Sequence, residues 1–243
     1  MANFVLVHGA WHGGWCWQRV AAALQKDGHR VHAVTLTGLG ERAHLLSPAI
    51  TLDTHIDDVL GLIEAEELQG VVLAVHSYAG MIGTAVADRL GQRIRHLVYV
   101  DAVLPKPGES WSSTQSSATQ QQRLTAAKAS LHFSFPPPDP ELFGLKDADR
   151  EWVGRRQTPH PGNTYQSPLQ FDVQRVAAVP RMFISCTEPA LATIAPSRLR
   201  AQDALFWDGA WLPGARYAEL QTGHDPMVSE PAALVGLLLG CAA

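Results

Sequence analysis

The stretch VVLAVHSYAGMIGTAVADRL, residues 71–90, changes its hydrophobic period partway along. Val71 to Val75 is an unbroken apolar run, the pattern of a strand covered on both faces. From Tyr78 to Leu90 the pattern is helical, and Gly91 stands where a helix stop is expected. Ser77 therefore falls at a tight strand-to-helix turn. Such a turn lifts the hydroxyl out of the sheet and points the first free N–H groups of the helix at the same spot, which suits a nucleophile. Small residues usually stand two positions to either side of a serine so placed. Ala79 meets that requirement, whereas the β-branched Val75 departs from it. A serine here could also simply cap the helix.

Outward from this turn the same alternation recurs. Apolar runs at Phe4 to Val7, Arg30 to Leu36 and Ile94 to Val100 read as strands, and Ile56, Val59, Leu60 and Ile63 fall on one helix face. Strands alternating with helices predict an α/β fold with a mostly parallel central sheet flanked by helices. The rhythm breaks after Asp101. Leu104 to Ser134 is rich in Ser, Gln and Thr, Pro136 to Pro138 is a proline run, and Thr158 to Pro168 is dense in Pro and Gly. A block this long is expected to be an inserted cap with some helices and no sheet strands. Alternation resumes with a strand at Arg181 to Cys186, a helix near Ser197 to Ala204, a strand at Tyr217 to Leu220 and a last helix from Ser229. The expected division is a core of residues 1–103 and 176–243 with a cap of residues 104–175.

Two loops give Ser77 chemical company. After the first strand, His8-Gly9-Ala10 forms a small-residue loop, and Gly13-Gly14 open a helix. In hydrolases built on a strand–serine–helix turn, such a loop supplies one oxyanion donor and the residue after the serine supplies the other. Those are the backbone N–H groups of Ala10 and Tyr78. Late in the chain, Gly223-His224-Asp225-Pro226 lies between the last strand and the last helix, where His224 can accept the Ser77 proton. A carboxylate is then needed to orient His224. Glu188, just beyond the strand ending at Cys186, is the favoured acid, and Asp101, beyond the strand ending at Val100, is the alternative.

Composition bounds the rest. Of 243 residues 46% are hydrophobic and 17% charged, and the formal net charge is −4, with no basic stripe to follow a phosphate backbone, so a nucleic-acid partner is not expected. Cys16, Cys186 and Cys241 lack disulfide or zinc spacing. With no basic leader before the first strand, they read as reduced thiols of a cytoplasmic protein. The apolar stretch Ala232 to Cys241 is half the length of a membrane span and suits a packed helix. His8 with His12 and His29 with His32 sit in or beside strands, so metal binding is not expected there. Gly38-Leu39-Gly40 is a turn, not a dinucleotide fingerprint. Trp11 is a candidate for the pocket mouth, whereas core packing suits Trp15 and Trp17 equally well.

With these residues laid out, FVLVHGAWHGGWCW, LTGLGER, HSYAG, VYVDAVLPKPGES, TPHP and GHDP make the chain resemble the hydroxynitrile lyase and plant methylesterase branch of the α/β-hydrolases, including its bacterial esterases. The likeness runs over nearly the whole sequence. It implies an α/β-hydrolase fold and a small-molecule ester or carbamate substrate, with a benzimidazole methyl carbamate such as carbendazim as the specific expectation. It further implies Ser77 as nucleophile, His224 as base, Ala10 and Tyr78 as oxyanion donors, and no cofactor or metal. Glu188 falls beside the family acid, whose place is held by Pro189. The lyases of this branch carry a threonine and a lysine where this chain has Gly9 and Asp225, which argues against cyanohydrin cleavage.

Overall fold

The computed structural model describes residues 1–242. Strands β1 (Asn3–Val7), β2 (Arg30–Val34), β3 (Val71–His76) and β4 (Ile94–Val100) are laid down first. A two-residue antiparallel ribbon follows, β5 (Ser134–Phe135) with β6 (His160–Pro161), and then β7 (Arg181–Cys186) and β8 (Ala215–Leu220). Six of these strands form one parallel sheet in the order β2-β1-β3-β4-β7-β8. Every residue of β3 and β7 is buried, because helices cover both faces, and this is why Val71 to Val75 and Met182 to Ile184 read as continuous apolar runs. The edge strand β8 mixes exposed and half-buried residues, and its first two positions, Ala215 and Arg216, lie outside the run expected from the sequence.

β2 ends at Val34, two residues short of the apolar run that suggested it. The chain turns away there because the Leu36 N–H donates to His8 Nε2 (3.1 Å) and the Thr35 carbonyl accepts from Arg42 Nη1 (2.9 Å). Helix α1 (Gln18–Lys26) follows a single 3₁₀ turn at Gly14–Trp17. α2 (Leu52–Ala65) starts at a capping box made by Thr51 and Thr54, and it buries Ile56, Val59 and Ile63 against the core. α3 (Gly80–Leu90) follows a 3₁₀ turn at Ser77–Ala79. Gly91 keeps a right-handed φ of −52° and passes into another 3₁₀ turn, so it ends α3 without the left-handed cap expected of it.

Between β4 and β7 the chain contributes no strand to the central sheet. It carries α4 (Ser117–Ala129), capped by the Ser116 side chain, then α5 (Asp147–Gly154), α6 (Asn163–Gln166) and α7 (Val173–Ala177). The ribbon β5–β6 is the one strand pairing that the composition of this block did not suggest. α8 (Ala195–Gln202) follows β7. After β8 come α9 (Pro226–Ser229) and α10 (Pro231–Leu239), the latter packed on α1. No helix among the described residues is long and apolar enough to cross a membrane.

Candidate active site

Ser77 sits directly after β3 with φ +55°, in the left-handed region that residues other than glycine rarely adopt. Such a conformation costs about 1–3 kcal/mol and persists only where the surroundings hold it. Close packing does so here. A Cβ on Gly80 would lie 1.9 Å from the Val103 carbonyl oxygen, so only glycine lets α3 start against this loop. A Cβ on Gly83 would lie 2.8 Å from both methyls of Val75. Glycine at 83 therefore makes the room that Val75 occupies, and the irregular position before the turn is compensated one helical turn after it.

The Ser77 hydroxyl and His224 Nε2 are 2.8 Å apart. On its other side His224 Nδ1 meets Asp101 Oδ2 at 2.7 Å. A carboxylate can only accept, so Nδ1 carries the proton and Nε2 presents a lone pair to the Ser77 hydroxyl. Asp101 is fully buried at the end of β4, and it also accepts from Arg198 Nε (3.0 Å), Arg198 Nη2 (2.8 Å) and the Cys186 N–H (3.2 Å).

The favoured acid, Glu188, is not brought to His224. Its backbone N–H is tied to the Thr222 carbonyl (3.0 Å) and the residue is exposed. The carboxylate beside His224 comes from the end of β4 instead of the end of β7, which is the place of the alternative, Asp101.

A second layer of buried polar groups fixes the two loops. His8 Nε2 accepts from Leu36, so its Nδ1–H donates to the Gly9 carbonyl (2.7 Å); the ring is neutral, and burial pushes it down to about 3. His12 differs. Its Nδ1 meets the Ala10 carbonyl (2.7 Å) and its Nε2 meets Asp225 Oδ2 (3.1 Å), and neither partner has a hydrogen to give. Both ring nitrogens must donate, so His12 is an imidazolium. Burial opposes that charge, but the Asp225 carboxylate outweighs it and raises His12 above its ordinary value. Burial likewise disfavours the Asp225 anion, yet His12 and then His76 and His224 hold it down to about 2. His76 donates from Nε2 to the His224 carbonyl (2.8 Å) and stays neutral, held at about 3 by burial and by His224.

His76, His224 and Asp225 bring possible ligand atoms within 4.8 Å of one another. Both His224 nitrogens and His76 Nε2 are already committed, and only His76 Nδ1 and Asp225 Oδ1 lack hydrogen-bond partners. Two free atoms are fewer than a protein metal site takes.

Glycines let these loops approach. A Cβ on Gly9 would lie 2.7 Å from Ser77 Cβ, and one on Gly223 would lie 2.2 Å from the Phe143 carbonyl oxygen, whose neighbour His224 donates its N–H to the same oxygen (2.8 Å). Ala10 and Ser77 line one cavity of about 420 Å³, with Trp11, Trp111, Arg123 and His224 among its walls. Tyr78 lies in the first turn after Ser77, where its N–H has no helical carbonyl to reach. Trp11 faces this cavity, whereas Trp17 is buried in the core and Trp15 stacks on His12 at 5.4 Å.

Sequence reasoning did not find Arg198, Arg123 or the His12–Asp225 pair. The last had a signal: a carboxylate directly after His224 and a histidine two residues past Ala10, each on a loop already singled out.

The model of the alpha/beta hydrolase family matches residues 4–237. The chain is 44% identical to the carbendazim hydrolyzing esterase of Nocardioides sp. (strain SG-4G), over 95% of this chain and 96% of that one. It is 27% identical to methylesterase 7 of Arabidopsis thaliana, over 98% of this chain and 95% of that one. Among solved structures, an extracellular alpha/beta-hydrolase from a Paenibacillus species superposes with a TM-score of 0.82 at 20% identity, covering 100% of this chain and 99% of that one. The chain belongs to the alpha/beta hydrolase family, in the branch that holds the plant methylesterases, and is an esterase.

Proposed function

We propose that this esterase works by a serine mechanism on a small ester or carbamate, with Ser77 as nucleophile, His224 as general base and Asp101 as the acid that orients it. The observation that carries the reading is the unbroken line from the Ser77 hydroxyl to His224 (2.8 Å) and on to Asp101 (2.7 Å). His224 Nε2 takes the Ser77 proton as Oγ bonds to the substrate carbonyl carbon, and Asp101 stabilises the imidazolium that forms. The backbone N–H groups of Ala10 and Tyr78 hold the oxyanion. Collapse breaks the bond to the leaving alcohol or amine, which departs with the proton from His224. Water, deprotonated by the same ring, then frees the acyl group and Ser77 regains its proton. Residues 104–175 act as a cap, since Trp111, Arg123, Leu142 and Phe143 from this segment roof the cavity above Ser77.

The 44% identity to an esterase named for carbendazim supports this substrate class. A methyl carbamate on an aromatic amine fits the aromatic walls of the cavity. Expulsion of the amine or of methanol leads, after hydrolysis and decarboxylation, to the same amine, methanol and carbon dioxide. Asp225, paired with His12, and Gly9, packed against Ser77, stand where the cyanohydrin lyases carry lysine and threonine, which supports hydrolysis over that cleavage. The test is labelling with a serine-directed phosphonate, mapping of the adduct by mass spectrometry, and turnover of p-nitrophenyl acetate and carbendazim with Ser77→Ala as control. Labelling at Ser77 and loss of turnover in Ser77→Ala are expected. A label elsewhere, or an active Ser77→Ala protein, would sink the mechanism.

A further inference from the structure

Arg123 on α4 lines the same cavity as Ser77 and His224, and the proposed acyl transfer gives it nothing to do. Its guanidinium carbon stands 4.6 Å from the Trp111 ring centroid, 5.0 Å from Tyr165, 5.4 Å from Trp11 and 5.6 Å from Phe135. Attraction to these rings stabilises the charge but offers its N–H donors no acceptor. The Tyr165 hydroxyl is close enough to interact with the charge, yet Arg123 Nη1 and that hydroxyl are both buried without a hydrogen-bond partner. The acid in the same cavity wall, Glu141, is held by Arg150 Nη1 (3.1 Å), and His12 is matched by Asp225. Burial pulls the Arg123 pKa down, and the neighbouring Tyr165 offsets this only in part.

Arg181 shows what a purely structural buried arginine looks like in this molecule. It too lies beside a ring, 5.3 Å from Trp211, but its guanidinium donates to the carbonyls of Val176, Ala177, Val179, Ala210, Trp211 and Pro213. Arg123 has the rings without the carbonyls. An arginine so placed lowers its free energy when a ligand brings the missing acceptor.

Resting on Ser77 as the nucleophile of this cavity, we propose that Arg123 is its specificity-determining residue. It binds an acceptor on the substrate's aromatic group, either a carboxylate or an in-plane ring nitrogen. The enzyme then selects aromatic esters and carbamates that carry such a group over isosteres that lack it.

The experiment compares matched methyl esters: monomethyl terephthalate and monomethyl isophthalate against methyl 4-toluate and methyl 3-toluate for the carboxylate, and methyl nicotinate against methyl benzoate for the ring nitrogen. Wild type, Arg123→Lys and Arg123→Met are assayed with each, and phenyl acetate with Ser77→Ala checks the nucleophile separately. At least one acceptor-bearing member should exceed its isostere in kcat/KM by about tenfold or more, chiefly through KM, as one charge-assisted bond of ordinary strength allows. The ratio should fall to about one in Arg123→Met and be partly kept in Arg123→Lys. A wild-type ratio near one for every pair, or a preference that survives Arg123→Met, overturns the proposal whether or not the variants fold well. Binding of terephthalate and of methyl nicotinate to Ser77→Ala, measured by calorimetry, reads the same site without catalysis, and absence of binding by both counts against Arg123 alone. Undiminished phenyl acetate turnover in Ser77→Ala counts against the nucleophile instead.

Discussion

Asp101, at the end of β4, accepts the Nδ1 hydrogen of His224 at 2.7 Å, while Glu188, beyond β7, lies at the surface with its backbone tied to Thr222. The two carboxylates therefore make opposite predictions. Asp101→Asn keeps the shape but can present its amide to Nδ1, which favours the wrong tautomer and removes the charge that stabilises the imidazolium. A loss of about 10³–10⁴ in kcat is expected. Glu188→Gln should change kcat by less than about twofold, as surface substitutions away from a site do. Steady-state hydrolysis of p-nitrophenyl acetate by the two variants decides, and the reverse ranking would return the role to Glu188.

The buried His12–Asp225 pair makes stability depend on pH in two directions. Asp225 is held at about 2 against an ordinary 3.8, so its contribution is complete above about pH 4 and is lost as the pH falls towards 2. His12 is raised above its ordinary 6.5, so its contribution is complete below that value and is lost as the pH rises through the raised pKa. Both describe one interaction, strongest between about pH 4 and 6.5. Asp225→Ala leaves a buried imidazolium unpaired and should cost about 3–5 kcal/mol at pH 6. The variant should also lose less stability than wild type between pH 6 and pH 9. Urea unfolding at the two pH values measures both effects, and parallel pH curves for the two proteins would contradict the charge assignment.

What could be read from the sequence was what burial imposes on single segments. β4 and β7 were legible to the residue because each is built round a buried apolar run, Leu97 to Val100 and Met182 to Ile184, that outweighs the polar residues beside it. β2 was overestimated because its end is set by His8, a partner from the loop after β1. Ser77 and His224 announce themselves by turn chemistry at the ends of elements. The acid does not, because Glu188 and Asp101 both follow parallel strands, and only the path of the chain after each strand decides which one faces His224. Arg123 was hidden more deeply. It lies in a Gln- and Ala-rich helix with little apolar pattern, and the rings around it come from four separate places along the chain.

Gly9 tests how closely the first loop must approach the nucleophile. A Cβ at this position would lie 2.7 Å from Ser77 Cβ and 2.8 Å from His76 Nδ1, so Gly9→Ala has to push Ser77 or the loop aside. Displacing Ala10 from the oxyanion position proposed for it should lower kcat by about 10²–10³, the cost of losing one such donor. Overpacking should lower stability by about 1–3 kcal/mol. Kinetics and urea unfolding of this single variant give both numbers, and a fully active Gly9→Ala would mean that the loop has slack which the packing does not show.

Val75 and Gly83 form the last pair, and their prediction is a change of sign. In the native protein a Cβ on Gly83 would meet both Val75 methyls at 2.8 Å and Leu97 Cδ1 at 3.0 Å, so Gly83→Ala should destabilise by about 1–3 kcal/mol. Val75→Gly restores the small residue usual before a nucleophile turn. It also empties a fully buried site and loosens a central strand, at a cost of about 2–4 kcal/mol. Once the valine is gone, alanine at 83 has lost its two closest obstacles, and the next nearest atom is the movable end of Leu97. Its better helix propensity, about 1 kcal/mol over glycine, can then be expressed. Gly83→Ala should therefore be neutral or stabilising in the Val75→Gly background, and a double-mutant cycle should give a coupling of about 1–3 kcal/mol. Equal effects of Gly83→Ala in the two backgrounds would show that Val75 is accommodated by some other adjustment of the turn.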